Sequence, residues 1–438
     1  MKRLNLFFFL ILILSNFSNA QIKIFVTDVD SGYSKTSVNT AIFRQSALTT
    51  CGDTQFIAFY DKDLKLVLGK RAINKNGVNN EKFLLKKTSL KMFHANDAHN
   101  VISIAVDGDG FLHLAYDHHN TPLKYLKSVA PYSLDLEMAK MIPNDYKKEK
   151  DVTYPEFYNF SNGDLLFVYR NLNNMIMNYY DTKNKKWTRL YDNLFENDAL
   201  LRPYWQMYVD ENDCIHISWL WRSKGWEPAT NNGIYYVKSS DYGKTWQQLF
   251  DSTSITPIFT RLNVKKIIDI PEKSNLINQT SMSSDSKGNV YIATYFNTKT
   301  DSITNYHLIV YNHKTIKDIT LGHRKTNFSL QGMGTLMIPI CRPKVVVSQK
   351  KVFVFFRDEE LDSRIAVYYS KKKKMSEKSF KLAFLTLDNF GAWEPCIDSQ
   401  LLKKYGKINL FVQKTFQKSG DKIVESAPTM IKVMEIGN

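Results

Sequence analysis

The sequence predicts an all-β protein built as a single seven-bladed β-propeller. Three observations carry that prediction. Strand hairpins recur seven times, starting about 50 to 75 residues apart, a period that suits four-stranded blades joined by long connections. One hairpin turn reads Ser239-Ser240-Asp241-Tyr242-Gly243-Lys244-Thr245-Trp246, an Asp-box. No long amphipathic helix and no Gly/Ser/Pro linker breaks the series.

Each unit is an aromatic and β-branched run, a turn, and a second such run. In chain order they are Thr54–Arg71, Gly110–Ser128, Gly163–Asp181, Asp213–Asp241, Gly288–Asn312, Lys351–Ser370 and Gly406–Thr415. The Asp-box pattern S-x-D-x-G-x-T-W is shared with sialidase-type propellers. Its Asp and Thr tie the turn, and its Trp packs between blades. Asp181 to Trp187 (DTKNKKW) is a degenerate copy. The motif speaks for architecture and says nothing of chemistry. One domain follows, residues 21–438, with the last strands closing against the first.

Residues 1–20 read as an export leader: Lys2 and Arg3, an apolar run from Leu4 to Leu14, and Ser18-Asn19-Ala20 before Gln21. The apolar run is short for a membrane span, and no later segment qualifies. The expectation is a soluble monomer, secreted or periplasmic. Four cysteines, Cys51, Cys214, Cys341 and Cys396, are too sparse for a disulfide framework but leave room for one or two bridges after export. The formal charge of +16 points to an anionic partner. Export disfavours nucleic acid, so an acidic polysaccharide fits better. The run Lys371 to Lys374 reads as a solvated face.

The richest segment is His99 to Tyr125, HNVISIAVDGDGFLHLAYDHHNTPLKY. Apolar residues alternate around a turn at 107–110, where Asp107 and Asp109 read as turn residues. The strands return His99-Asn100 and Asp117-His118-His119-Asn120 to one sheet edge. Histidine titrates near neutrality, so paired imidazoles there are an acid/base candidate. By the same hairpin argument, Tyr154 and Arg170 share an edge of the next blade. If both edges face one end, four side chains surround one cleft.

That set suits β-elimination at a uronic acid. The proton α to a carboxylate is barely acidic while the carboxylate is anionic. A bidentate Arg neutralises it. A His or Tyr removes the C5 proton, and a Tyr or His protonates the leaving 4-oxygen. No metal or organic cofactor is demanded.

On these segments, with VTYPEFYNFSNGDLLFVYR, HISWLWR, SSDYGKTW and the Pro339…Arg342-Pro343 stretch, the chain resembles the BNR-4 repeat family, and especially the propeller ulvan lyases of polysaccharide lyase families 24 and 25. The resemblance implies His99 and His119, 20 apart, as paired active-site histidines. It also implies Tyr154 as acid/base and Arg170, 16 further on, as carboxylate neutraliser. His118 matches less well than His119. Asn100, His118, Asn120, Arg202, Trp221 and Arg222 are candidate substrate contacts, since rings stack on sugars and Arg pairs with sulfate or carboxylate. For Trp205 and Trp219 blade packing competes with that role, and Arg342 is a further candidate. Some family members hold a structural calcium or zinc ion, and Cys214, His216, His323 and Cys341 are the candidate ligands here.

Other readings share the scaffold. A rhamnosidase-type glycoside hydrolase needs two carboxylates, and Asp117 and Glu156 are the nearby acids. A sialidase needs an Arg triad, for which Arg170, Arg202 and Arg342 are available. The last reading is a non-catalytic glycan-binding propeller.

Overall fold

The computed structural model describes residues 22–41, 46–75, 81–196, 198, 200–249, 251–278 and 281–437. The expected leader at 1–20 lies outside them. No helix among the described residues is long and apolar enough to cross a membrane.

Seven antiparallel sheets form the seven blades of a ring. The first is Leu48–Cys51, Thr54–Tyr60, Lys65–Ala72 and Leu84–Lys91. The second is Ile102–Val106, Leu112–Tyr116, Tyr125–Ser128 and Leu136–Met138. The third is Val152–Asn159, Leu165–Asn171, Asn174–Asp181 and Lys186–Tyr191. The fourth begins with Arg202–Val209, Ile215–Arg222 and Asn231–Ser239. The fifth runs from Ser281–Ser284 to Ile316–Leu321, and the sixth from Lys344–Val347 to Lys381–Phe384. In the seventh, Cys396–Ile397, Ile408–Gln413 and Thr429–Gly437 are completed by the N-terminal strand Lys23–Gly32, with Lys23 opposite Gly437. The ring thus closes between the two ends of the chain, as expected.

Six of the seven hairpin units supply the second and third strands of a blade. Gly406–Thr415 supplies one strand only. Its partner Thr429–Gly437 lies beyond a connection too long to read as a hairpin.

Strand alternation builds the core between blades. Along Leu165–Asn171, Leu166 and Val168 join Trp219, Trp221 and Trp246 of the fourth blade. Leu165, Phe167 and Tyr169 face the other way, onto Ala105, Ala115 and Tyr125 of the second. Both faces are buried, so these strands read as nearly continuous apolar runs.

The Asp-box turn is tied as its sequence requires. The Thr245 hydroxyl donates to Asp241 Oδ2 at 2.6 Å, the Gly243 N–H to Ser239 Oγ at 2.9 Å. Trp246 is fully buried against Phe259. In the degenerate copy, Trp187 Nε1 donates to Tyr125 of the neighbouring blade at 3.0 Å. All four cysteines are free thiols, so no bridge forms. Each is fixed in a different strand or turn of the ring.

Candidate functional site

The innermost strands all begin at one end of the ring. Positions just before or within their first residues therefore converge: His99, Tyr154, Arg202, Tyr204, Asn278 and Arg342 line one cleft of about 370 Å³. Arg170 and Arg222, at the ends of second strands, return to the same rim, and His119 joins them. The structure thus gathers His99, His119, Tyr154 and Arg170, with Arg202, Arg222 and Arg342.

His119 arrives by a crossover. His119–Thr121 leaves the second blade and pairs with Val152–Asn159 of the third, placing His119 opposite Thr153. The His99 and His119 rings stack with centroids 4.2 Å apart. Asp97 binds both, with Oδ1 at 2.6 Å from His99 Nδ1 and Oδ2 at 2.5 Å from His119 Nδ1. Burial alone would raise the Asp97 carboxyl, but the two imidazole bonds hold it well below the usual carboxylate range. An ionised carboxylate only accepts, so both Nδ1 atoms carry protons. Burial lowers His99, and its partner Asp97 only partly offsets this.

Tyr154 sits at a bulge between Thr153 and Glu156, with φ of +56°. That left-handed conformation before a proline is strained for a tyrosine. The bulge breaks the alternation and turns the ring into the cleft. Burial pushes the phenol up to about 12, against the opposing charge of Arg170. The Arg170 guanidinium lies 4.5 Å over the Tyr154 ring.

Sequence reasoning missed Tyr204, though its signal was present: Arg202 and Tyr204 alternate with Trp205 at a strand start. Arg222 donates to its hydroxyl at 2.9 Å and lies 4.2 Å over its ring. Burial would raise the Tyr204 phenol, but Arg222, Arg170 and Arg202 together bring it below its ordinary value. Arg170, Arg202 and Arg222 have no carboxylate partner among the described residues. The buried Nε atoms of Arg170 and Arg202 have no hydrogen-bond partner. Arg342 differs, being paired with buried Glu394 at 3.0 Å. A Cβ on Gly225 would sit 2.6 Å from Arg202 Nε, so any larger residue here would push the Arg202 side chain out of this position.

Other lining residues come from loops that sequence patterning does not resolve. Trp226 is 54% exposed beside the cleft. Thr335 approaches His99 Nδ1 at 3.4 Å, and its N–H is held by Asp421 at 2.7 Å. Beyond Thr335 and Leu336 a second cavity of about 570 Å³ shares this wall with the cleft.

Several expected contacts fall elsewhere. Trp221 is fully buried in the core with Trp219 and Trp205. It occupies the strand face opposite Arg222, so alternation sends it away from the cleft. His118 is also fully buried: Nε2 accepts from the Lys124 N–H and Nδ1 meets Thr121, each at 3.1 Å. Asn100 is buried and braces the loop by donating to the Asp97 carbonyl. Asn120 is exposed and ties His119–Thr121 to Thr153. Asp117 pairs with Lys124 and Glu156 with Tyr158, both outside the cleft lining.

Of the proposed zinc ligands, Cys214 and His216 come together beside Asp210, while His323 and Cys341 lie elsewhere. His216 spends both nitrogens on Asp210 and Tyr236, at 3.0 and 2.6 Å. His113 repeats that arrangement with Asp107 and Tyr125 two blades earlier, which marks it as a blade-building device. Cys341 is bonded to Tyr306 and the Arg357 N–H, and His323 is an exposed partner of Glu377. Asp97, His99 and His119 have donor types that suit a divalent ion. The carboxylate is, however, already satisfied by two N–H groups.

No curated protein is similar enough in sequence to match. Among solved structures, the polysaccharide lyase Uly1 is similar at a TM-score of 0.64 and 14% identity, covering 90% of each chain. A family-25 ulvan lyase, solved bound to -[GlcA(1-4)Rha3S]-, is similar at 0.62 and 10% identity, covering 94% of this chain and 95% of that one. An α-L-arabinofuranosidase from Fusarium graminearum aligns with a TM-score of 0.44 at 10% identity, covering 76% of this chain and 91% of that one. At these identities the likeness is one of fold. The profile of the BNR repeat-containing family matches residues 54–323, more than half of the chain, and the chain belongs to that family.

Proposed function

We propose that this cleft cleaves a uronate-containing, sulfated polysaccharide of the ulvan type by β-elimination. One observation carries the reading: three guanidiniums without carboxylate partners among the described residues stand beside an imidazole pair whose Nδ1 atoms both face Asp97. An anionic sugar supplies the missing counter-charge. The two lyases of similar fold accord with this choice of substrate class.

Arg170, with Arg202 and Arg222 near, pairs with the uronate carboxylate and stabilises the charge that builds on it. Nε2 of His99 or His119 takes the C5 proton, since His99 is held neutral. The C5–H electrons form the C4=C5 double bond as the C4–O4 bond breaks. Tyr154, held protonated, gives its hydroxyl proton to O4. The products are a new non-reducing 4,5-unsaturated uronate and a free hydroxyl on the neighbouring sugar. Trp226 offers a stacking face for a flanking sugar, and the adjoining cavity extends the path for a longer chain. Acting on an external polymer requires export, which the leader at 1–20 would supply.

A hydrolase reading lacks its two carboxylates. Asp421 is the one acid lining the cleft among the described residues. A sialidase triad would enlist Arg342, which Glu394 already neutralises. The test is ultraviolet absorbance of the unsaturated uronate while the protein acts on ulvan. A rise with the native chain, and loss of about a hundredfold or more in Arg170→Ala, is expected. New reducing ends without the chromophore would replace the lyase with a hydrolase.

A further inference from the structure

The other end of the ring holds a larger cavity of about 750 Å³. The cleft lies where the innermost strands begin. This cavity lies where they end, between the turns that leave Arg202–Val209, Ser281–Ser284 and Lys344–Val347 and the helix Ser399–Tyr405. Five lysines line it, Lys350, Lys351, Lys372, Lys403 and Lys404, against Glu211 and Asp285. Lys372 is paired with Asp285 at 3.3 Å. The other four have no ion-pair partner among the described residues.

This is unlike the solvated run 371–374, because these ammonium groups meet over a concavity. Lys403 is half-buried and near the Tyr208 ring at 5.6 Å. Burial brings it down to about 8, although Asp210, Asp213 and Glu211 act at longer range in the other direction. A half-buried cation without an ion-pair partner is stabilised by an incoming anion. The size of the cavity suits a sugar unit, and Tyr208 and Tyr405 line it as stacking faces.

We propose that this cavity is a second, non-catalytic site that holds sulfate and carboxylate groups of the anionic polysaccharide cleaved at the opposite face. The choice of polymer rests on the lyase reading. Two sites on one long chain raise the local concentration of polymer at the cleft without adding a contact there. A short oligosaccharide cannot occupy both, so it gains nothing.

The experiment is affinity electrophoresis of the mature protein through gels containing ulvan, with Arg170→Ala as a background in which nothing is cleaved. The pairs Lys403→Gln/Lys404→Gln and Lys350→Gln/Lys351→Gln lie on separate elements, so a folding defect in one leaves the other usable. Each should weaken retention by about threefold or more and raise KM on polymer while leaving kcat/KM on short oligosaccharides unchanged. Lys183→Gln/Lys186→Gln, remote and exposed, removes equal charge and should have little effect. Unchanged retention in both cavity pairs, or an equal loss in the remote pair, would overturn the proposal. Equal displacement of ulvan by a single-stranded oligodeoxynucleotide would also overturn it, in favour of an indiscriminate polyanion surface. Retention is read without turnover. A protein held through these lysines that never forms the chromophore would keep the anchor and refute only the lyase.

Discussion

His99 and His119 stack face to face at 4.2 Å, and one carboxylate, Asp97, binds the Nδ1 of each. Two imidazolium ions at that distance repel one another, so the pair acts as a unit that tolerates one added proton better than two. Asp97 touches no substrate in this reading. It sets the tautomer of both rings and aims both Nε2 atoms.

Asp97→Asn should therefore lower kcat by about 10- to 100-fold with little change in KM. With His99 as the base, its ring must be neutral, and burial holds its value below 6.5. Activity is then present at neutral pH and lost as pH falls through that lowered value. The carboxylate raises His99, so the Asn variant should move this acid limb to still lower pH. A variant with lower kcat but an unmoved pH profile would reduce Asp97 to a structural brace.

Tyr154→Phe removes one hydroxyl and keeps the ring under Arg170. It should cut kcat by about 10²- to 10⁴-fold while substrate affinity stays within a few-fold. Binding measured by calorimetry on the inactive variant checks this. If affinity fell in step with kcat, the phenol would be holding the sugar rather than moving a proton.

His118 offers a pH test of stability. It is fully buried and burial lowers it from 6.5 to about 3. Between those values the unfolded chain binds a proton that the folded chain refuses. Stability contributed by the neutral ring is thus intact above 6.5 and declines as pH drops towards 3, by about 1.4 kcal/mol per pH unit. Denaturant titrations of His118→Gln should show that slope reduced by one proton relative to the native chain. Identical slopes would mean His118 is protonated in the folded state.

Trp246→Ala should destabilise the fold by about 3–5 kcal/mol, because a fully buried indole between blades leaves a cavity. The kcat of the folded fraction should be unchanged, since Trp246 lies outside the cleft lining. Urea midpoints and active-site-normalised turnover separate the two effects.

Blade count, strand positions and the Asp-box were legible in the sequence because they are local. Period-two alternation and turn residues act over a few positions, and each repeat states them again. The hairpin argument also reached the four-residue heart of the cleft, because a strand and its return lie at a known spacing. It failed for Trp221 and His118. Each lies one residue from a cleft-lining neighbour, and alternation turned them inward. Asp97, Trp226 and Asp421 carried no motif. Their places depend on a bulge, a crossover strand and loops from distant blades. Sequence by itself thus determined the ring and the types of residue its upper edge presents. Only tertiary structure decided which faced one another, because the convergence of strand starts at one end, and of lysines at the other, exists only once seven blades have closed into a circle.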